Sequence, residues 1–145
     1  MAKVGYPYAT VGRVGGQGSK GGQTRIRPML DAVLTARNGS SIQLAVLADS
    51  GADAYLFPLD IAKMLGLELE RLATDLTRGV GNSENLTYYD TLTIDLGNGI
   101  RFETRAGFTE GMNPAGFGLL GQQGFFEKYN VEFRHRERVF TVEAD

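Results

Sequence analysis

An apolar run, Leu44-Ala-Val-Leu-Ala48, ends in Asp49-Ser50-Gly51-Ala52-Asp53. This places a carboxylate at the end of an expected strand, with a tight turn directly after it. A strand end is a rigid mount for a reactive group. Gly51 lets the backbone fold back so that amides approach the Asp49 carboxylate, and Ser50 supplies a short hydroxyl for a fixed hydrogen bond. The chemistry such a loop offers is proton transfer by an immobilised carboxylate.

The remaining inventory narrows the field. The chain has no cysteine, which removes disulfides, thiolate zinc sites and cysteine nucleophiles together. Its single histidine, His135, stands in Arg134-His135-Arg136-Glu137-Arg138, where cationic neighbours oppose the imidazolium that general-base catalysis produces. His135 therefore reads as part of a solvated turn, with no catalytic or metal role. Glu68 and Glu70 read as a solvated edge rather than a glycosidase pair. Gly16-Gln17-Gly18-Ser19-Lys20-Gly21 matches GxGxxG formally, but no apolar strand precedes it and no amphipathic helix follows, so it reads as flexible chain. No metal and no cofactor is expected, and the chemistry falls to carboxylates.

The elements that must hold this loop are mostly strands. Residues 27–145 read as one domain. Residues 1–26, with six glycines between Gly12 and Gly22, read as a flexible arm in which Gly-Tyr-Pro-Tyr is a candidate short strand. Met29–Ala36 and Ser41–Leu47 flank Asn38-Gly39, a dipeptide suited to a type I′ turn. Leu86–Leu96 alternates through Leu92, Ile94 and Leu96 before Asn98-Gly99 turns the chain into Ile100–Phe108. Val131–Phe133 and Val139–Val142 give a third hairpin. A helix is expected over Pro58–Leu65, stopped by Gly66, with Ile61, Met64 and Leu65 on one face. A second short helix is expected over Gly124–Tyr129. The fold class is all-β, a small closed or partly closed barrel with two short helices.

On these residues the chain resembles the single-domain aspartic proteases of the retroviral, retropepsin-like type. Asp49-Ser50-Gly51-Ala52 is similar to that family's Asp-Ser/Thr-Gly-Ala loop after an apolar strand. Leu119-Leu120-Gly121, ahead of a short helix, is similar to its second Leu/Ile-Leu/Ile-Gly motif. The glycine-bearing stretch Arg78–Asn85 falls where the family places a mobile flap. The interval from Asp49 to Gly121 suits the family's barrel. One position departs: retroviral members usually carry an arginine where this chain has Gln122, paired with the acidic residue that Asp53 resembles, so Asp53 needs another partner.

The resemblance implies an endopeptidase. Asp49, Ser50 and Gly51 would form the catalytic loop, and Ala52, Asp53, Gly79, Val80, Gly81, Leu119, Leu120 and Gly121 would bind a peptide or protein substrate. No other aspartate of the chain is followed by Ser/Thr-Gly, so one chain supplies one carboxylate. Two carboxylates about 3 Å apart share a proton, and a homodimer with its axis between two copies of Asp49 creates that pair from one sequence. Tyr88 and Tyr89 are candidates to flank the site, though strand aromatics more often serve packing. A catalytically silent dimerisation or peptide-binding module on the same barrel is the alternative. The formal net charge of −2 gives no basic face for nucleic acid. With no long apolar run and no signal-like start, neither a membrane partner nor secretion is expected, which leaves the cytoplasm.

Overall fold

The computed structural model of the 145-residue chain describes residues 3–12, 24–78 and 84–144. Twelve strands and one short α-helix account for most of these residues. In chain order the strands are β1 (Lys3–Pro7), β2 (Ala9–Gly12), β3 (Thr24–Arg27), β4 (Met29–Ala36), β5 (Ser41–Ala48) and β6 (Tyr55–Pro58). Helix α1 (Leu59–Met64) follows, and then β7 (Ala73–Arg78), β8 (Glu84–Gly97) and β9 (Ile100–Thr109). The chain closes with β10 (Gly118–Leu120), β11 (Tyr129–Arg134) and β12 (Val139–Ala144).

The main sheet runs β4-β5-β10-β6-β9-β8-β7, and β4 also pairs with β8. That extra pairing closes six of the strands into a ring and leaves β7 outside it, on the far edge of β8. Closure removes the exposed edges that an open sheet would present. Alternation along the strands fills the interior: Leu30, Ala32, Leu34 and Ala36 of β4, and Leu92, Ile94 and Leu96 of β8, are all buried. A one-residue slip in either strand would turn these side chains to solvent, so the pattern fixes the register. Phe57, Phe108, Val46 and Leu120 are fully buried among them.

All three expected hairpins form, with one difference in turn chemistry. At Asn98-Gly99 both residues have positive φ, 55° and 83°, as a two-residue type I′ turn requires. At Asn38-Gly39 only glycine does, at 87°. There the Gly39 amide bonds the Ala36 carbonyl at 3.0 Å and the Ala36 amide bonds the Ser40 carbonyl at 2.9 Å, a three-residue loop with glycine in the left-handed position. Asn38 is instead held by its side chain, whose oxygen accepts the Ser40 amide and whose nitrogen donates to the Leu65 carbonyl.

Helix α1 begins after Pro58 and ends before Gly66, which has φ of 72°. Its buried face differs from the expected one: Leu59, Ile61, Ala62 and Leu65 are buried, while Met64 is 69% exposed. The expected second helix is a single irregular turn over Gln122–Phe126, broken by non-helical Gln123 and by Gly124 at φ 92°. Gly124 cannot be other than small, because a Cβ there would lie 2.7 Å from Tyr55 Cε2.

The expected arm is partly structured. Strand β1 pairs antiparallel with β12, which pairs with β11, and β2 pairs with β3. The Tyr6 ring stacks on Phe140, with centroids 5.4 Å apart, and Phe133 stacks on the same ring at 6.1 Å. This aromatic contact ties Gly-Tyr-Pro-Tyr to the C-terminal hairpin. The glycine-rich residues 13–23, with the formal GxGxxG match, lie outside the described residues. His135 sits in the exposed tip between β11 and β12, edge-on to Tyr8. Among the described residues, no helix is long and apolar enough to cross a membrane.

Candidate active site

Asp49 is the first residue beyond β5, and three hydrogen bonds fix it. Its amide donates to the Leu120 carbonyl at 3.0 Å, and its carbonyl accepts the Ala52 amide at 3.1 Å. Its carboxylate Oδ1 accepts the Gly51 amide at 3.0 Å. A Cβ on Gly51 would lie 3.2 Å from that oxygen, so the loop closes over the carboxylate most easily with glycine there. Backbone donors of this kind hold a carboxylate in one orientation without competing for its charge.

The second motif supplies the platform. Strand β10 lies parallel to β5 in the register Gly118↔Val46, Leu119↔Leu47 and Leu120↔Ala48, and it touches β6 on its other side at Leu119↔Leu56. Gly118 is packed so closely on the Phe57 ring that no side chain fits. At Gly121 a Cβ would fall 2.7 Å from the backbone carbon and nitrogen of Ala54. Beyond the strand, the Gln122 amide donates to the Ala52 carbonyl and the Gln123 amide to the Asp53 carbonyl, both at 2.8 Å. The Asp-Ser-Gly loop is thus clipped to the Leu-Leu-Gly segment residue by residue.

A cleft of about 700 Å³ opens beside Asp49. Of the site residues expected from sequence, Asp49, Gly51, Ala52, Asp53 and Leu119 line it. Ser50 is exposed and holds the loop through its carbonyl, which accepts Gln122 Nε2 at 2.7 Å. Leu120 and Gly121 are buried beneath the loop and support it from below. Gly79, Val80 and Gly81 lie outside the described residues. Gln122, where an arginine was the family's pattern, spends its side chain on Ser50.

Of the paired tyrosines, Tyr89 faces the cleft, while Tyr88 packs against the core. The cleft wall also contains residues the sequence did not single out: Thr74 and Asp75 of β7, Arg105 of β9, and Gln123. Tyr55 forms part of it too, 1% exposed, with a hydroxyl that has no hydrogen-bond partner among the described residues. Burial pushes the ionisation of that phenol well above its ordinary value. A second open cleft, of about 640 Å³, lies between β1 and β4 and shares no lining residue with this one.

A closed six-stranded barrel, with a carboxylate loop after one strand and a glycine-bearing strand wedged against it, is the retropepsin-like fold. Comparison with solved structures agrees. The chain superposes on a retropepsin-like aspartic protease from Rickettsia conorii with a TM-score of 0.57, at 17% identity, over 97% of this chain and 92% of that one. It matches the retroviral protease-like domain of Ddi1 from Leishmania major with a TM-score of 0.52, at 16% identity, over 81% of this chain and 94% of that domain. No family model and no curated protein matches the sequence. The kinship is one of fold.

Proposed function

We propose that this chain is an aspartic endopeptidase that works as a homodimer, with the two copies of Asp49 sharing one proton across the axis. The observation that carries this reading is the Asp49 carboxylate, fastened by the Gly51 amide at the end of β5 and open to a cleft large enough for peptide side chains. In the reaction, the ionised carboxylate takes a proton from a water molecule while its protonated twin donates to the scissile carbonyl. Water adds to the carbonyl carbon, and the tetrahedral product then collapses by breaking the C–N bond as the amine leaves protonated. Ala52, Asp53 and Leu119 line the path of an extended substrate, and Leu120 and Gly121 set the height of the loop.

Strands β7 and β8 support a lid on the same cleft. Thr74, Asp75 and Tyr89 of these strands line it. Farther out, Leu76 and Leu86 stand directly opposite one another and are 59% and 45% exposed. An apolar cross-strand pair left to water suits a hairpin that folds down over a bound chain. Gly79, Val80 and Gly81 join these strands and are the proposed contacts to the substrate backbone.

The test is incubation of the pure protein with a mixed peptide library at several pH values, beside Asp49→Ala protein. Cleavage that follows a bell-shaped profile with a mildly acidic maximum, and that vanishes in the variant, is the expected result, since turnover needs the pair to hold one proton. A rate that climbs smoothly through alkaline pH would exclude the shared proton. No cleavage at any pH would leave a peptide-binding or dimerisation module on the same barrel.

A further inference from the structure

The wall of the Asp49 cleft carries one side chain arranged for recognition. Across the β8–β9 ladder Tyr89 lies opposite Gly107, and Arg105 lies opposite Thr91. Tyr89 and Arg105 are thus diagonal neighbours on one face, a spacing that long side chains bridge. The Arg105 guanidinium carbon stands 4.3 Å from the centre of the Tyr89 ring. Gly107 makes room for this arrangement: a Cβ there would come within 3.2 Å of Tyr89 Cε1 and 2.8 Å of Thr87 Cγ2. The tyrosine ring therefore lies across bare backbone and forms a shelf for the cation.

Stacking engages the face of a guanidinium and leaves its edge of N–H donors available. Among the described residues, no carboxylate forms an ion pair with Arg105, and no other cationic side chain lines the cleft. We infer that Arg105 is a specificity-determining residue, binding the carboxylate of a Glu or Asp side chain in a peptide that occupies the Asp49 cleft. This inference rests on reading the cleft as a peptide site. Asp49, Asp53 and Asp75 line the same cleft and draw cationic peptides by their summed field. In an open, solvated cleft that field is screened over about 10 Å at 0.1 M salt. A two-pronged guanidinium–carboxylate contact acts at hydrogen-bonding range and survives such screening better. The preference for an acidic residue is accordingly confined to the peptide positions that meet Arg105, one from each subunit of the proposed homodimer.

The experiment measures binding, so that it does not depend on turnover. Asp49→Asn protein is titrated with fluorescein-labelled hexapeptide pools in which a single position is fixed as Glu, Gln or Lys. At a position that meets Arg105 the Glu pool should bind about tenfold more tightly than the Gln pool, with the Lys pool weakest. Arg105→Gln should erase the difference between Glu and Gln, and Arg105→Glu should turn the preference to Lys at that same position. Equal binding of Glu and Gln pools at every position, a preference that survives both substitutions, or no binding at all would overturn the assignment. Cleavage by the unsubstituted protein is followed separately. An Arg105-dependent preference without cleavage would discard the protease reading and keep this one, whereas cleavage indifferent to Glu would do the reverse.

Discussion

Gln122 sends its side-chain amide back to the carbonyl of Ser50, at 2.7 Å, across the gap between the Leu-Leu-Gly segment and the Asp-Ser-Gly loop. The contact lies one residue beyond Asp49, on the far side of the turn from the bond between the Gly51 amide and the carboxylate. It restrains the exposed Ser50 corner of the loop.

Gln122→Ala should therefore loosen the loop without dismantling it. One exposed hydrogen bond is worth about 0.5–1.5 kcal/mol, and the Gln122 backbone amide keeps its own bond to Ala52. A urea titration should show a loss of that size, and hydrogen exchange at the Gly51 and Ala52 amides should accelerate several-fold while the β4 amides are unchanged. Unaltered exchange at Gly51 would mean that the side chain of Gln122 does not hold the turn.

Gly121→Ala tests the platform. The added Cβ would crowd the Ala54 carbonyl oxygen and fall 2.7 Å from the Ala54 backbone carbon and nitrogen, and a clash with backbone has little room to yield. The expected loss is about 2–4 kcal/mol, seen as a lower urea midpoint with an unchanged slope.

Tyr55→Phe should stabilise the protein. The hydroxyl it removes is buried and has no partner among the described residues, so its loss relieves about 1 kcal/mol and raises Tm by roughly 3 °C. The gain also depends on pH. Burial holds the folded-state ionisation above the ordinary 10.0, so the neutral phenol's contribution is fully present below that value and is lost as pH rises beyond it. The advantage of phenylalanine should widen above about pH 10, as paired thermal melts at neutral and alkaline pH will show.

The shared site can be counted. Wild-type and Asp49→Ala chains mixed in equal amounts and allowed to exchange should retain about a quarter of the all-wild-type activity, because only dimers with two intact chains work. Removing a repelling carboxylate favours mixed dimers and pushes the figure lower. Activity fixed at about a half after verified exchange would mean that each chain works alone.

Much of this architecture was legible in the chain, since alternation at Leu92, Ile94 and Leu96 and the two Asn-Gly turns report purely local preferences. The Asp49 loop was legible for the same reason: strand, carboxylate and glycine are consecutive. Arg105 was not. Counting outward from the two-residue turn at Asn98-Gly99 pairs Gly97 with Ile100 and, continued without interruption, sets Arg105 opposite Leu92, a core position. The irregularity between Asp95 and Gly97 shifts the ladder by one residue and sets Arg105 opposite Thr91 instead. A bulge re-aims every side chain beyond it, and its position depends on neighbouring strands that no local pattern records. The exposure of Met64 has a similar origin, because the short helix packs through Leu59 and Ala62, whose burial depends on the barrel beneath. The pairing of β1 with β12 was hidden by distance along the chain, though Tyr6 was in plain view.

Strand β10 sits between β5 and β6, so two strands from the first half of the chain are bridged by one made much later. During synthesis, then, the growing chain can build the β4–β5 hairpin and the β8–β9 hairpin early, but Asp49 has no Leu120 carbonyl to bind until residue 120 has been made and has left the ribosome. Long-range closure of this kind is slow relative to hairpin formation. The carboxylate is consequently placed among the final events of folding, and a nascent or truncated chain carries the Asp-Ser-Gly sequence without the means to aim it.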